Sequence, residues 1–209
     1  MDGLLIDSEP LWQEAGALLL QQYGITLTES QYHSTTGLRT PEWIDYWFTH
    51  FKIDKQHHAS ASAFIEKTAL ELIEAKGQPM PGVNYIMEFF RKNNFRIGLA
   101  SSSPMKLIQM VIKKLEIGEF LAAVTSAEKL PFGKPHPQVF LDCATLLNVS
   151  PPNCIVFEDS FNGLFAAKAA RMKCVIVPAP QLHHETRWDA ADLKLQSLEQ
   201  FNLQHLLSL

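Results

Sequence analysis

Apolar residues recur at helical spacing through the first third of the chain. Leu11, Ala15, Leu18, Leu19 and Tyr23 fall on one stripe, and Phe64, Ile65, Ala69, Leu72 and Ile73 fall on another. Trp43, Trp47 and Phe48 mark a further helix, and Pro41 is placed to start it, since a first-turn proline gives up no helical hydrogen bond. No strand-like run interrupts residues 11–79, so the whole stretch is predicted to be helical. Pro79-Met80-Pro81-Gly82 ends it, because two prolines and a glycine cannot continue a helix. Beyond this point short apolar runs alternate with helical stretches. Strands are predicted over 96–100, 122–125, 154–157 and 174–177, with a last edge strand at 193–195. Helices are predicted over 106–115, 137–147 and 162–170, and from Leu198 onward.

Strands that alternate with helices imply a parallel sheet covered on both faces. The early helical block interrupts that pattern. The architecture expected is an α/β fold: a Rossmann-like core formed by residues 1–10 and 80–209, carrying residues 11–79 as an inserted helical cap on two linkers.

Composition narrows the class. A chain of 209 residues can bury one good core plus a small appended module. Eighteen basic residues against 22 acidic ones give a net charge of −4, and no Lys/Arg run is present, so a nucleic-acid surface is not expected. No apolar stretch approaches a membrane span. Residues 1–10 lack a basic start and carry Asp2, Asp7 and Glu9, unlike a secretory leader, so a cytoplasmic protein is expected. Cys143, Cys154 and Cys174 are odd in number and lack metal-ligand spacing, and they read as reduced thiols rather than a disulfide or zinc site. A monomer is expected, because no apolar surface stripe is left unassigned.

In open parallel sheets, ligands bind outside the carboxyl ends of the strands, so the polar residues just after each apolar run are the ones that matter. Ser101-Ser102-Ser103 follow the first predicted strand, where a hydroxyl and consecutive N–H groups suit a phosphate oxygen; an ordinary helix N-cap is the alternative. Lys134 lies between Gly133 and Pro135 just before a helix, placed to neutralise an anion or, more plainly, to sit solvated in a turn. Glu158-Asp159-Ser160 and Asn162-Gly163 follow the 154–157 strand. Two adjacent carboxylates at the end of a buried strand repel each other unless a cation pairs with them, and oxygen-only ligands suit Mg²⁺.

Asp2-Gly3-Leu4-Leu5-Ile6-Asp7-Ser8-Glu9-Pro10 resembles the opening motif of the haloacid-dehalogenase-like phosphatases. Ser101, Lys134 and Glu158-Asp159 then follow in the order of that superfamily's remaining motifs. The resemblance covers essentially the whole chain and is closest to the β-phosphoglucomutase-like branch. Thr35-Thr36-Gly37-Leu38-Arg39 and Ser126-Ala127-Glu128-Lys129-Leu130-Pro131 narrow it to bacterial hexitol-phosphate and 2-deoxyglucose-6-phosphate phosphatases.

The resemblance implies a Mg²⁺-dependent phosphatase of small phosphorylated sugars or sugar alcohols that works through an aspartyl-phosphate. It implies Asp2 as general acid/base, and Ser101 with Ser102 on the phosphoryl oxygens. Lys134 balances their charge, and Asp159, Glu158 and the Asp2 carbonyl hold Mg²⁺. Arg39 and Asn162 are expected near the substrate, Arg39 with a plain surface arginine as its equal alternative. Glu9 and Asp7 are expected either to face the site or to form a hinge contact. The tryptophans are expected in the core of the cap. The motif's nucleophilic Asp falls at the position immediately before Met1, and with it a central apolar strand. The 209-residue chain is therefore expected to be inactive. Three explanations are open: an internal start, residues left out of the sequence, or a degenerate relative. A truncated start is the one expected, because every other motif is intact. A sugar phosphomutase and a non-catalytic phosphosugar-binding protein are the alternative functions.

Overall fold

A computed structural model describes residues 1–209. Four helices precede any strand: α1 (Glu9–Gln21), α2 (Glu29–Ser34), α3 (Thr40–His50) and α4 (His58–Lys76). Their starts are written in the sequence. Pro10 and Pro41 stand in the first turns of α1 and α3, and Thr28 caps α2 in a reciprocal box with Gln31. α4 buries Ala61, Ile65, Ala69 and Ile73, a strict fourth-residue stripe, against α1 and α3. The partners it meets include Ala15, Leu19, Ile44 and Phe48, all but closed to solvent.

The remainder alternates as predicted: α5 (Val83–Lys92), β1 (Ile97–Ser101), α6 (Met105–Lys114), β2 (Leu121–Ser126), α7 (Gln138–Leu147), β3 (Ile155–Glu158), α8 (Phe161–Ala169), β4 (Lys173–Ile176), β5 (Leu193–Lys194) and α9 (Leu203–Ser208). β1 to β4 differ from the predicted bounds by a single residue at either end. The last helix starts later than expected. Residues 198–200 form a 3₁₀ turn, and Asn202 then caps α9 by accepting the N–H groups of Gln204 and His205. α5 and α6 pack with the four-helix layer in one apolar cluster, while α7 and α8 build a second cluster with β3 and β4. All three cysteines are free thiols, and no helix is long and apolar enough to cross a membrane.

The parallel sheet comes in two pieces. β2 pairs with β1, and β3, β4 and β5 pair in that order, but β1 and β3 are not hydrogen-bonded to each other. Their facing edges flank an elongated cavity of about 410 Å³, lined almost wholly by apolar groups, among them Met1, Leu4, Leu99, Val156 and Phe157.

The two connectors between the four-helix layer and the sheet run side by side. Asp7 N–H donates to Gln78 O at 2.8 Å and Met80 N–H donates to Leu5 O at 2.9 Å. Ile6, completely buried, pins this crossing from below, and a side chain at Gly77 would collide with it. Ile6→Ala should destabilise the protein by about 3 kcal/mol, the usual cost of an unrelaxed core cavity. Urea unfolding monitored by tryptophan fluorescence checks this; a loss under about 1 kcal/mol would mean that the crossing is loosely packed.

Candidate active site

The carboxyl ends of β1, β2 and β3 open on one side of the sheet, and the four-helix layer lies across them. Between the two layers is a cavity of about 120 Å³ lined by Asp2, Ser101, Ser102, Ser103, Lys134, Glu158 and Asp159 from the sheet side. Glu9, Trp12, Thr36 and Trp43 line it from the helices. The structure therefore gathers Asp2, Ser101, Lys134 and Glu158-Asp159, separated by up to 157 positions in the chain, around one space.

Asp2 sits in a tight turn. Gly3 takes a left-handed backbone with φ of +65°, and a Cβ there would run into the Asp159 carboxylate. The Asp2 side chain is fixed from three directions. Ser8 Oγ donates to Oδ1 at 2.8 Å, Trp12 Nε1 donates to the same oxygen at 2.9 Å, and Ser103 Oγ donates to Oδ2 at 2.7 Å. The Asp2 carbonyl oxygen accepts no backbone hydrogen bond. Ser101, buried at the end of β1, accepts the Ser103 N–H at 3.1 Å.

Lys134 is 5 % exposed, with its ammonium bonded to Glu158 and lying 4.6 Å from the centre of the Phe140 ring. Burial works to raise the Glu158 pKa, but the Lys134 charge, the Met1 α-ammonium and the bonds from Lys134 and Ser160 outweigh it and hold the group below its ordinary value. The Met1 α-ammonium also bears on Asp159 and Glu9, but it does not outweigh their burial and their crowding by other acids. Asp159, desolvated and beside Glu158, is pushed up to about 7, and Glu9, desolvated and facing Asp159 and Asp2, to about 8. Two cations of the chain, the buried Lys134 ammonium and the Met1 α-ammonium, thus face four carboxyl groups. No cluster of three or more His, Cys, Asp or Glu residues stands in ready-made metal-binding geometry. The donor set itself is all oxygen, carries excess negative charge and includes a free carbonyl, which fits a hard divalent cation that keeps several waters.

Three residues expected at the substrate are engaged elsewhere. Ser102 lines the cavity, but its Oγ donates to Gly37 O at 3.1 Å, and Asn162 Nδ2 donates to Thr36 O at 3.0 Å. The Arg39 guanidinium is turned away from the cavity onto the backbone of residues 127–131, which corrects its expected place beside an anion. All three tie the helices to the sheet. Glu9 proves to face the cavity, and Asp7 lies exposed at the connector. Trp12, read as core, bonds Asp2. Ser8 and Ser103 were given no bond to Asp2, because a serine's role depends on which side chain folds over it, and spacing does not record that.

Comparison with known proteins agrees with this geometry. The family described as haloacid dehalogenase-like hydrolase matches residues 1–177. Hexitol phosphatase B of Escherichia coli K12 is 38% identical over 208 residues, covering 99% of this chain and 94% of that protein. The phosphorylated carbohydrates phosphatase of Thermotoga maritima is 30% identical over 173 residues, covering 81% and 78% of the two chains. Among solved structures, β-phosphoglucomutase from Clostridium difficile superposes with a TM-score of 0.85 at 25% identity, over 99% of this chain and 92% of the other.

The crowded acids give the metal-free protein a distinctive pH response. A carboxyl whose folded pKa lies above its unfolded value stabilises fully below the unfolded pKa, and that stability is lost as pH rises through the folded pKa. For Asp159 the window runs from 3.8 to about 7, and for Glu9 from 4.5 to about 8. Glu158, shifted down, is ionised in both states above pH 5 and adds no slope there. In metal-free buffer the thermal midpoint should therefore fall between pH 5 and pH 8.5, by at least ~5 °C. A flat or rising midpoint in differential scanning calorimetry would contradict the crowding.

Proposed function

Because the chain belongs to the haloacid dehalogenase-like hydrolases, we propose that it is a Mg²⁺-dependent phosphatase of small phosphorylated sugars, of the hexitol-phosphate or 2-deoxyglucose-6-phosphate type. The convergence of Asp2, Ser101, Lys134 and Glu158-Asp159 on one cavity is the observation that carries this reading. The names of its relatives, a hexitol phosphatase and a phosphorylated-carbohydrate phosphatase, supply the substrate class.

In this reading residues 11–79 cap a core made of 1–10 and 80–209. An aspartate at the position that precedes Met1 attacks phosphorus, and the sugar alkoxide leaves with a proton from Asp2. Asp2 then takes a proton from water, which attacks the aspartyl-phosphate and releases inorganic phosphate. The three donors on Asp2 hold it in one orientation for both transfers. Lys134 and Ser101 face the equatorial phosphoryl oxygens. Asp159, Glu158 and the Asp2 carbonyl would hold Mg²⁺, which when bound neutralises charge on the phosphoryl group. The acid-rich cavity supports this, since its four carboxyl groups outnumber the chain's own cations there, Lys134 and the Met1 α-ammonium.

The placing of the nucleophile has structural support. Met1 lines both the apolar slot between β1 and β3 and the acidic cavity. An apolar strand laid in the slot would pair both free edges, fill the void, and bring its last residue to the mouth of the site.

The test compares the 209-residue chain with a form extended upstream by an apolar strand ending in Asp, on a panel of phosphosugars with Mg²⁺. The extended form should release phosphate, and the shorter chain should be slower by more than about a hundredfold, since a displacement near 1 Å already costs that much. Rates within tenfold of each other would mean that the nucleophile lies elsewhere. Isomerised phosphosugar would make the protein a mutase, in keeping with its likeness to β-phosphoglucomutase. No turnover by either form would make it a non-catalytic binder.

Trp12→Phe keeps the ring and removes the donor to Asp2. In the extended form it should lower kcat by about tenfold with KM within about twofold, the pattern of a lost transition-state contact. A raised KM at unchanged kcat would place Trp12 on the sugar instead.

A further inference from the structure

A charged pair outside the cavity joins the helical layer to the loop that carries Lys134. The Arg39 side chain is 13% exposed. Its Nη1 donates to Ala127 O at 3.1 Å and Leu130 O at 2.5 Å, and its Nη2 donates to Pro131 O at 3.3 Å and Glu42 Oε1 at 2.6 Å. Glu42 completes the circuit. Its Oε1 accepts the Gly133 N–H at 2.9 Å and its Oε2 accepts the Arg39 N–H at 3.1 Å. Burial works against the ionised Glu42, yet these bonds keep its pKa below the ordinary value.

Apart from the Lys134 ammonium, which is bonded to Glu158 and packed on Phe140, the loop has little to hold its backbone otherwise. From Leu130 to His136 the backbone donates just two hydrogen bonds to other backbone groups, Leu130 N–H to Ala127 O and His136 N–H to Gly133 O. Pro131 and Pro135 have no N–H to give. The ties from Arg39 and Glu42 therefore fix a stretch that neither helix nor strand fixes. They act at Gly133, the residue immediately before Lys134, and the fit there is close. A Cβ on Gly133 would lie 2.7 Å from Arg39 Nε and against the Glu42 carboxylate. Both Nη groups of the guanidinium are spent on carbonyls and on Glu42, while its Nε is buried without a partner.

We propose that Arg39 and Glu42 are positioning residues that place Lys134 only when the helical layer is seated on the sheet, so that the phosphoryl-neutralising ammonium is assembled by closure of the site. This rests on Lys134 acting on the phosphoryl group, as argued above. The coupling has a functional logic. An open site would lack its fixed cation and would hold a phosphoryl group poorly, whereas a closed one excludes water as it completes the charge constellation.

Two measurements decide it. In the strand-extended form, Arg39→Ala and Glu42→Ala should each lower kcat by about tenfold or more, with KM for phosphosugars and for a small aryl phosphate within about threefold. Glu42→Gln, which keeps an acceptor for the Gly133 N–H, should recover most of the loss. In a Lys134→Ala background, Arg39→Ala should cost less than about twofold further, since residues acting through one group are not additive. A full, additive loss in that background, or a raised KM for the phosphosugar alone, would overturn the proposal. The second measurement needs no turnover. Hydrogen exchange in the 209-residue chain and in the extended form should show the Gly133 amide opening at least about tenfold faster in Glu42→Ala. Unchanged exchange would refute the latch even in an active enzyme. An inactive parent with the expected exchange would refute the phosphatase reading and leave the latch standing.

Discussion

Charge crowding at the carboxyl end of the sheet governs this molecule. Lys134 and Glu158 form a buried ion pair, and Asp159, Glu9 and Asp2 press against it with the Met1 α-ammonium as the one further cation nearby. A buried pair of this kind is weak support for stability, because desolvation offsets much of its attraction. Its persistence beside three further acids points to function. Local backbone serves the same end: the left-handed turn at Gly3 lets Asp159 approach Asp2, and the capped start of α8 brings Ser160 onto Glu158.

The layers above and below this cluster follow from it. The helices cover the site and are moored by bonds from Ser102, Asn162 and Arg39 to backbone carbonyls across the interface. The two connectors, bonded to each other beside Ile6, are the natural pivot for motion between the layers. The sheet beneath is split at the slot between β1 and β3, and Met1 joins that slot to the acidic cavity. Site and slot are thus adjacent, with Met1 on the wall of both.

Much of this was legible in the sequence. The change from helical spacing to alternating runs marked the helical block, and polar residues just past apolar runs marked Ser101, Lys134 and Glu158-Asp159. These readings succeed because period and strand ends are local properties. The roles of Arg39 and Ser103 escaped because their partners lie in distant segments, and that of Trp12 because its helix face reads as apolar. Arg39 looks the same in sequence whether its guanidinium meets a substrate or the carbonyls of residues 127–131. Trp12 on an apolar helix face reads as core, although its ring packs there while its N–H reaches Asp2. Ser103 follows two other serines, and spacing alone cannot say which hydroxyl turns to a carboxylate some hundred residues earlier.

The central claim is that Asp2, Ser101, Lys134 and the Glu158-Asp159 pair make one phosphoryl site that is complete only with a divalent cation. Calorimetric titration of orthovanadate, a mimic of the pentacoordinate transition state of phosphoryl transfer, into the strand-extended form tests it most directly. The account predicts binding that requires Mg²⁺ and weakens by at least about a hundredfold in Lys134→Ala and in Asp159→Asn, as expected for contacts made to the transition state. Equal binding without Mg²⁺, or undiminished binding in Lys134→Ala, would contradict it.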